Sequence, residues 1–240
     1  MPPSTPVLPG LHAALASDEW FGHCAPALRD ELLRLGRVRK LAAGESLFAR
    51  GGDAEGLCCV MAGALRIGAL NAEGDSALLA YLEPYQWFGE ISLIDGRPRT
   101  HDAVADVPSQ VLVVPREALL AWLDAHPAMW RELGKLACRK LRVVFVAIEE
   151  LAQLPLEERV WRRLQLVALG YGSRDAPRRR IRLAQEVLAQ MLGVSRQSIN
   201  KALKTLEARG RLRLHYGEIE LLDALSESPG SPSPAGPAAA

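Results

Sequence analysis

The segment FGEISLIDGRPRTHDAV, residues 88–104, places a carboxylate and an arginine within one short stretch. The pair Gly89-Glu90 precedes a glycine turn, and Arg99-Thr100 follows it. A carboxylate accepts hydrogen bonds from hydroxyl groups, an arginine binds phosphate, and backbone N–H groups in a turn complete an anion site. The spacing therefore indicates one ligand that carries both hydroxyls and a phosphate. An ordinary charged surface loop is the alternative.

Short apolar runs alternate with turn signals around this segment, from about residue 38 to residue 114. The runs include ESLFARGGD, LCCVMAGALRIGAL with a bend at Ala62-Gly63, SALLAYLEP and SQVLVVP. Regular spacing without long helical patterns between the runs predicts an antiparallel roll or barrel. The stretches APALRDELLRL and REALLAWLDAH beside it predict helices, and we assign residues 11–126 to this domain.

A helical period begins near Pro127 and continues to Pro155, which interrupts it. Apolar residues spaced by 4, 3, 4 and 3 positions predict a stripe along one long helix, residues 127–155. Charged flanking residues favour pairing of the stripe with a second copy of the chain, and a helix packed on its own domain is the alternative. The candidate dimerisation residues are Ala137, Leu141, Val144, Ile148 and Leu151.

Residues 156–225 are basic, with 14 Lys and Arg against 8 Asp and Glu, whereas the rest of the chain has 15 against 20. This asymmetry indicates that the C-terminal part contacts a polyanion. AQEVLAQMLGVSRQSINKALKTLEARG predicts two helices joined by a turn at Gly193, with Ser195 as the N-cap of the second. GRLRLHYGEIELLD predicts a two-stranded wing, and SRDAPRRR at 173–180 predicts a basic loop. The combination predicts a winged helix-turn-helix domain over residues 156–225.

The N-terminus of the second helix carries side chains suited to reading double-stranded DNA. Arginine binds guanine O6 and N7, glutamine binds adenine, and a helix N-terminus binds phosphate. A solvated charged helix is the alternative, and the wing and the basic surplus argue against it. The candidate DNA-contacting residues are Ser195, Arg196, Gln197, Ser198, Asn200 and Lys201.

Other patterns exclude several classes of protein. The four cysteines lack metal-ligand spacing, and no nucleophile and base are suitably spaced, so we predict reduced structural thiols, no metal site and no enzyme. The N-terminus is not a signal peptide and VVFVAI is too short to span a bilayer, which favours a cytoplasmic protein without membrane contact. The Pro-rich ends, residues 1–10 and 226–240, are expected to be disordered.

Over residues 20–223 the order of roll, FGEISLIDGRPRT, long helix and GVSRQSINK resembles the Crp/Fnr family of bacterial transcription regulators. The resemblance implies an α+β fold: a cyclic-nucleotide-binding-type β-roll, a dimerisation helix and a winged helix-turn-helix. It also implies a homodimer that binds a palindromic DNA site, with RNA polymerase as a further partner. Gln197 and Lys201 replace the family's frequent Glu and Arg, and Ala184 replaces a capping Ser or Thr.

By the same resemblance, Glu90 would hold a ribose hydroxyl, and Arg99 with Thr100 would hold a cyclic phosphate. The implied effector-binding set is Gly89, Glu90, Ile91, Ser92, Arg99, Thr100 and Lys140. His101 replaces the family's usual Ala, and Val144 with Phe145 replaces a Thr-Ser pair that contacts adenine. The resemblance implies a small anionic effector of the cyclic nucleotide or cyclic dinucleotide class. A vestigial pocket in an effector-independent regulator is one alternative, and a ligand-binding module that acts on a protein partner is another.

Overall fold

The computed structural model describes residues 11–70, 76–170 and 178–222, so the two predicted disordered ends lie outside the described residues. The helices are α1 (Leu11–Leu15), α2 (Glu19–His23), α3 (Pro26–Leu35), α4 (Glu90–Asp95), α5 (Arg116–Ala125), α6 (Trp130–Gln153), α7 (Leu156–Ala168), α8 (Gln185–Leu192) and α9 (Arg196–Ala208). The strands are β1 (Arg37–Leu41), β2 (Ser46–Phe48), β3 (Gly56–Ala62), β4 (Leu65–Leu70), β5 (Ser76–Leu82), β6 (Trp87–Phe88), β7 (Asp102–Ala105), β8 (Ser109–Pro115), β9 (Arg180–Ile181), β10 (Leu212–His215) and β11 (Glu218–Leu221).

Two four-stranded antiparallel sheets form the N-terminal roll, in the orders β1-β8-β3-β6 and β2-β7-β4-β5. Buried apolar side chains such as Leu41, Val60 and Leu65 fill the space between the sheets. Cys58 belongs to this inner cluster, whereas Cys59 packs with the helices, because successive strand side chains point to opposite faces. The predicted antiparallel roll is confirmed.

Helices α1–α3, α5 and the start of α6 cover the outer face of the first sheet, where they share one apolar cluster with it. The rings of Phe21 and Trp87 stack with their centroids 5.4 Å apart. The indole Nε1 of Trp20 donates to the backbone carbonyl of Glu132 at 2.6 Å. These contacts fix β6, the short strand that leads into the candidate site.

The long helix α6 begins at Trp130 rather than at Pro127, because Pro127–Met129 form a 3₁₀ turn. It ends at Gln153, just before Pro155, which cannot continue a helix. Leu133 and Leu136 are its two buried residues, so most of α6 lies outside the core of its own chain. No helix in the described part of the chain is long and apolar enough to cross a membrane.

Helices α7–α9 and the sheet β10-β11-β9 form the C-terminal domain, which has the predicted winged helix-turn-helix architecture. Gly193 adopts φ +62° at the turn between α8 and α9, as predicted for a glycine. The predicted basic loop is wrong at its last residue. Arg180 begins strand β9 because it pairs with Glu220 of β11, and residues 173–177 lie outside the described residues.

The C-terminal domain also contacts the roll of its own chain. Ala64, Leu78 and Tyr81 of the roll are buried in the same apolar cluster as Val160 of α7 and Leu188 of α8. The sequence patterns do not predict this contact, because each set of apolar residues also satisfies the periodicity of its own strand or helix.

Candidate effector site and nucleic-acid interface

Residues 89–101, here called the cradle, are held at the end of β6. This strand pairs with β3 through Cys58 opposite Phe88 and Cys59 opposite Trp87. Gly89 follows with φ +92°, and α4 begins at the next residue. A Cβ atom on Gly89 would lie 2.6 Å from Nη1 of Arg99. Glycine is therefore required at this position for two reasons, the left-handed backbone conformation and the close approach of the arginine side chain.

Arg99 is buried within the cradle and is only 3% exposed. Its Nη1 donates to the carbonyl of Gly89 at 3.1 Å and its Nη2 to the carbonyl of Gly56 at 2.7 Å. Its Cζ atom lies 4.2 Å from the centroid of the Phe48 ring. Among the described residues no carboxylate pairs with this guanidinium, and its buried Nε has no hydrogen-bond partner. A buried cation held by neutral groups fits an anionic ligand.

Glu90 lies at the first turn of α4 and is 2% exposed. Its Oε2 accepts from Nζ of Lys140 on α6 at 2.6 Å, so the structure brings together two of the predicted effector residues that are 50 positions apart. The lysine side chain is 35% exposed. A ligand hydroxyl that binds Glu90 must therefore share the carboxylate with Lys140 or displace it.

Thr100 is exposed at the rim of the cradle, and its Oγ1 lies 3.0 Å from Nδ1 of His101. Burial lowers the pKa of His101 below 6.5, and the neighbouring Arg50 lowers it further, whereas Asp102 opposes the shift. The shift favours the neutral imidazole, which can orient the threonine hydroxyl. The role of His101 is visible only in the structure, although its departure from the family pattern marks it in the sequence.

The other two predicted residues of the cradle have different environments. Ser92 is buried and its Oγ donates to the carbonyl of Pro98 at 3.3 Å, which closes the turn that carries Arg99. Ile91 is 47% exposed. Ser92 therefore stabilises the cradle from within, and Ile91 lies on its surface.

The face of α6 where the family contacts adenine carries no hydroxyl group here. Val144 is 39% exposed and Phe145 is 56% exposed, so the phenyl ring does not fill the cradle of its own chain. Leu141, Ile148 and Leu151 are exposed by 50%, 58% and 64% along the same helix. Among the five predicted dimerisation residues, Ala137 is partly buried in its own chain, and the other four are exposed.

Ser195 is the N-cap of α9, as predicted, and its Oγ accepts from the backbone N–H of Ser198 at 3.1 Å. Arg196, Gln197 and Lys201 are exposed on one side of the helix. Asn200 differs: its Nδ2 donates to Oε1 of Gln185 on α8 at 3.2 Å, so it joins the two helices. Ser198 is partly buried, and its hydroxyl oxygen lies 2.9 Å from that of Ser195.

The wing sheet carries a cluster of charges that the site prediction from sequence omitted. Glu218 and Glu220 on β11 lie between cations on both neighbouring strands, with Oε2 of Glu220 3.0 Å from Nε2 of His215. The basic side chains around them are more exposed than the two carboxylates, and they are Arg180, Arg182, Arg213 and His215. Alternation of charged and apolar residues in RLRLH and GEIEL is the signal that could have identified this face.

The comparisons with known proteins agree with this arrangement. Residues 38–126 match the family described as Cyclic nucleotide-binding domain, and residues 158–225 match the Crp-like helix-turn-helix domain. A CRP-like cAMP-activated global transcriptional regulator of Mycobacterium tuberculosis is 30% identical over 183 residues, 75% of this chain and 82% of that protein. The chain belongs to the CRP/FNR family of transcription regulators. Across the described residues, no group of three or more His, Cys, Asp or Glu side chains could hold a metal ion.

Further CRP/FNR relatives extend the match over most of the chain. The Cyclic AMP receptor protein of Thermus thermophilus is 30% identical over 205 residues, 85% of this chain and 92% of that protein. The structure of FixK2 from Bradyrhizobium japonicum aligns with a TM-score of 0.69 at 21% identity, over 78% of this chain and 93% of the other. The structure of CLP, the c-di-GMP-responsive global regulator of Xanthomonas campestris, aligns with a TM-score of 0.65 at 20% identity, over 83% and 100%. These two structures support the fold, and the predicted family and fold class are confirmed.

Proposed function

We propose that this CRP/FNR regulator acts as a homodimer on a palindromic DNA site, and that a small anionic effector in the cradle modulates its affinity for DNA. The observation that supports the effector is the buried guanidinium of Arg99, which pairs with no carboxylate among the described residues, in the same cradle as the buried carboxylate of Glu90. These two groups match a ligand with a phosphate at one end and hydroxyls at the other. The exposed apolar stripe of α6 supports the dimer.

A cyclic nucleotide or a cyclic dinucleotide is the effector class that this chemistry fits. The names of the relatives agree, since one is cAMP-activated and another is c-di-GMP-responsive. Isothermal titration calorimetry of the purified protein with cyclic AMP and with cyclic di-GMP tests the proposal. Binding should weaken in Thr100→Ala and remain unchanged in Asp124→Asn, which alters an exposed carboxylate near the C-terminal end of α5. If neither compound gives heat at millimolar concentration, the proposed effector class is contradicted.

An effector-independent regulator is the second candidate, and three observations favour it. Lys140 already pairs with Glu90, and backbone carbonyls already accept from Arg99. In addition, Val144 and Phe145 offer no hydrogen bond to a base. In this case the same titrations give no heat, while the protein binds its DNA site with the same affinity in the presence and absence of either compound.

DNA reading is tested on the site that the protein selects from random duplexes. Arg196→Ala should weaken specific binding by about 1–3 kcal/mol and relax the preference at one base pair in each half-site. Arg209→Ala, at the exposed C-terminal end of α9, is the control. If specific and random DNA lose affinity equally in Arg196→Ala, Arg196 contacts only the backbone.

Salt dependence separates this function from a ligand-binding module that acts on a protein partner. A DNA-binding regulator loses affinity steeply with salt because phosphate contacts release counterions. The protein-partner alternative predicts no specific DNA site at all. The described residues give no support for an enzymatic activity. Family membership suggests RNA polymerase as a further partner and the cytoplasm as the location.

A further inference from the structure

The turn between β5 and β6 binds the C-terminal domain of the same chain through two polar side chains. Glu83 pairs with the guanidinium of Arg178. The side-chain amide of Gln86 donates to the carbonyl of Gly170, which follows α7. Both groups are removed from water, since the side chain of Glu83 is 12% exposed and Gln86 is 3% exposed. Buried polar contacts of this kind fix one geometry because an unmatched group is costly.

Gln86 serves both sides of this contact. Its Oε1 accepts from the backbone N–H of Glu83 at 2.6 Å and so closes the turn. Its amide nitrogen faces the other domain. One side chain therefore joins the conformation of the turn to the position of α7.

Apolar packing beside the turn extends the contact to the helix-turn-helix. Leu78 and Tyr81 of β5 are buried in the cluster that contains Leu188 of α8. The recognition residues Arg196 and Lys201 remain exposed in this arrangement. The roll thus holds the positioning helix α8 and leaves the reading side of α9 open.

The same turn leads directly into the cradle. Tyr85 has φ +74°, and among the described residues it is the non-glycine residue with a positive φ. Such a conformation persists only where surrounding contacts impose it, and here Tyr85 N–H donates to the carbonyl of Val60 at 2.7 Å. After Gln86 the chain continues through the two residues of β6 to Gly89 and Glu90.

We propose that Gln86, with the Glu83–Arg178 pair, forms a clasp that fixes the orientation of the C-terminal domain on the roll. Gln86 is then a positioning residue for DNA reading, and a change in the cradle reaches α8 through the clasp. The transmission from the cradle to α8 rests on the proposed function. The fixed orientation of the C-terminal domain concerns only the contact between the domains.

Gln86→Glu at pH 8 tests the clasp with little change in shape. The introduced carboxylate still accepts from Glu83 N–H, but it replaces the donor that faces the carbonyl of Gly170 by an acceptor. Amide hydrogen exchange in α8 and β5 should accelerate at least about tenfold, because a buried hydrogen bond is replaced by a repulsive contact. Glu117→Gln should exchange like the wild type. Unchanged exchange in Gln86→Glu would overturn the proposal.

A charge exchange provides a second, independent test. Glu83→Arg alone and Arg178→Glu alone should each accelerate exchange in α8, and the double variant should restore it, because the pair is re-formed in reverse. Additive acceleration in the double variant would show that the two residues do not act as a pair.

The spacing of DNA half-sites reports the orientation itself. The wild type should discriminate its selected site from one with an extra base pair between the half-sites, because half-site spacing follows protein geometry. Gln86→Glu should lose most of this discrimination. If discrimination survives although exchange accelerates, the clasp does not orient the recognition helices. A wild type that binds no specific DNA contradicts the proposed function, whereas the exchange experiment still decides on the clasp.

Discussion

The exposed stripe of α6 predicts that Leu141→Lys weakens the homodimer. Leu141 is 50% exposed in one chain, and full burial of a leucine side chain contributes about 1.5–3 kcal/mol. Covering the exposed half in each of two chains therefore contributes roughly 1 kcal/mol per chain, or about 2 kcal/mol per dimer. Because 1.4 kcal/mol corresponds to a factor of ten, the dissociation constant should rise by at least roughly 30-fold. Two lysines brought near each other raise it further.

Fluorescence-detected sedimentation over a dilution series measures this constant directly. Glu149→Lys is the matched control, since it introduces the same side chain at an exposed position of α6 next to the stripe. It should leave the dissociation constant within about threefold of the wild type, as for most surface substitutions. The assignment of the stripe is refuted if Leu141→Lys and Glu149→Lys dissociate at the same concentration as the wild type.

Three other predictions concern single side chains. Ser195→Ala removes the N-cap of α9 and should destabilise the protein by about 1 kcal/mol in chemical denaturation. Ala184→Ser supplies α8 with the N-cap hydrogen bond it lacks and should stabilise the protein by a similar amount. Equal effects of the same sign would contradict the capping assignment. Ellman's reagent at pH 8 should react with one thiol, Cys138, in the native protein and with four after denaturation. Cys138 is exposed, whereas the other three cysteines are buried, and burial raises the pKa of Cys58 to about 12. Rapid reaction of two or more native thiols would count against the structure. Because the pKa of His101 is lowered in the folded protein, the unfolded chain takes up the proton first as the pH drops. The free energy of unfolding should therefore fall below pH 6.5, and it should fall less steeply in His101→Gln than in the wild type when both are followed by thermal unfolding. Identical pH profiles of the two proteins would refute the environment of His101.

Local patterns predicted the C-terminal domain well, because its elements are specified by neighbouring residues. The turn at Gly193 needs a left-handed residue, the N-cap at Ser195 needs a hydroxyl, and Ile199 and Leu203 repeat at helical spacing. Each of these requirements acts within a few positions of the chain. The roll was predicted from strand spacing for the same reason.

Contacts between distant residues were beyond the reach of these patterns. The motif predicts Arg99 as a phosphate ligand, but it gives no sign that the side chain is buried or that it contacts Gly56 and Phe48, which belong to other parts of the roll. Gln86 contacts a residue 84 positions away, and no periodicity marks it. Strand β9 is two residues long and exists because β11 pairs with it. In each case a partner from elsewhere in the chain, rather than local preference, decides the structure.

Three consecutive residues of α6 contact three different surroundings, and this limits how an effector can act. Arg139 pairs with the buried Asp18 at 3.3 Å, Lys140 pairs with Glu90 at 2.6 Å, and Leu141 is exposed toward the proposed partner helix. We expect a ligand that displaces Lys140 from Glu90 to alter the contact of α6 with the roll one residue from the stripe. A ligand shifts an equilibrium from 1:99 to 99:1 only if it binds one orientation about 5.5 kcal/mol more tightly. Since a hydrogen bond to a charged group contributes about 1.5–3 kcal/mol, at least two contacts must differ between the orientations. Glu90 alone is insufficient for a complete switch, and the guanidinium of Arg99 is the second charged group that the cradle offers.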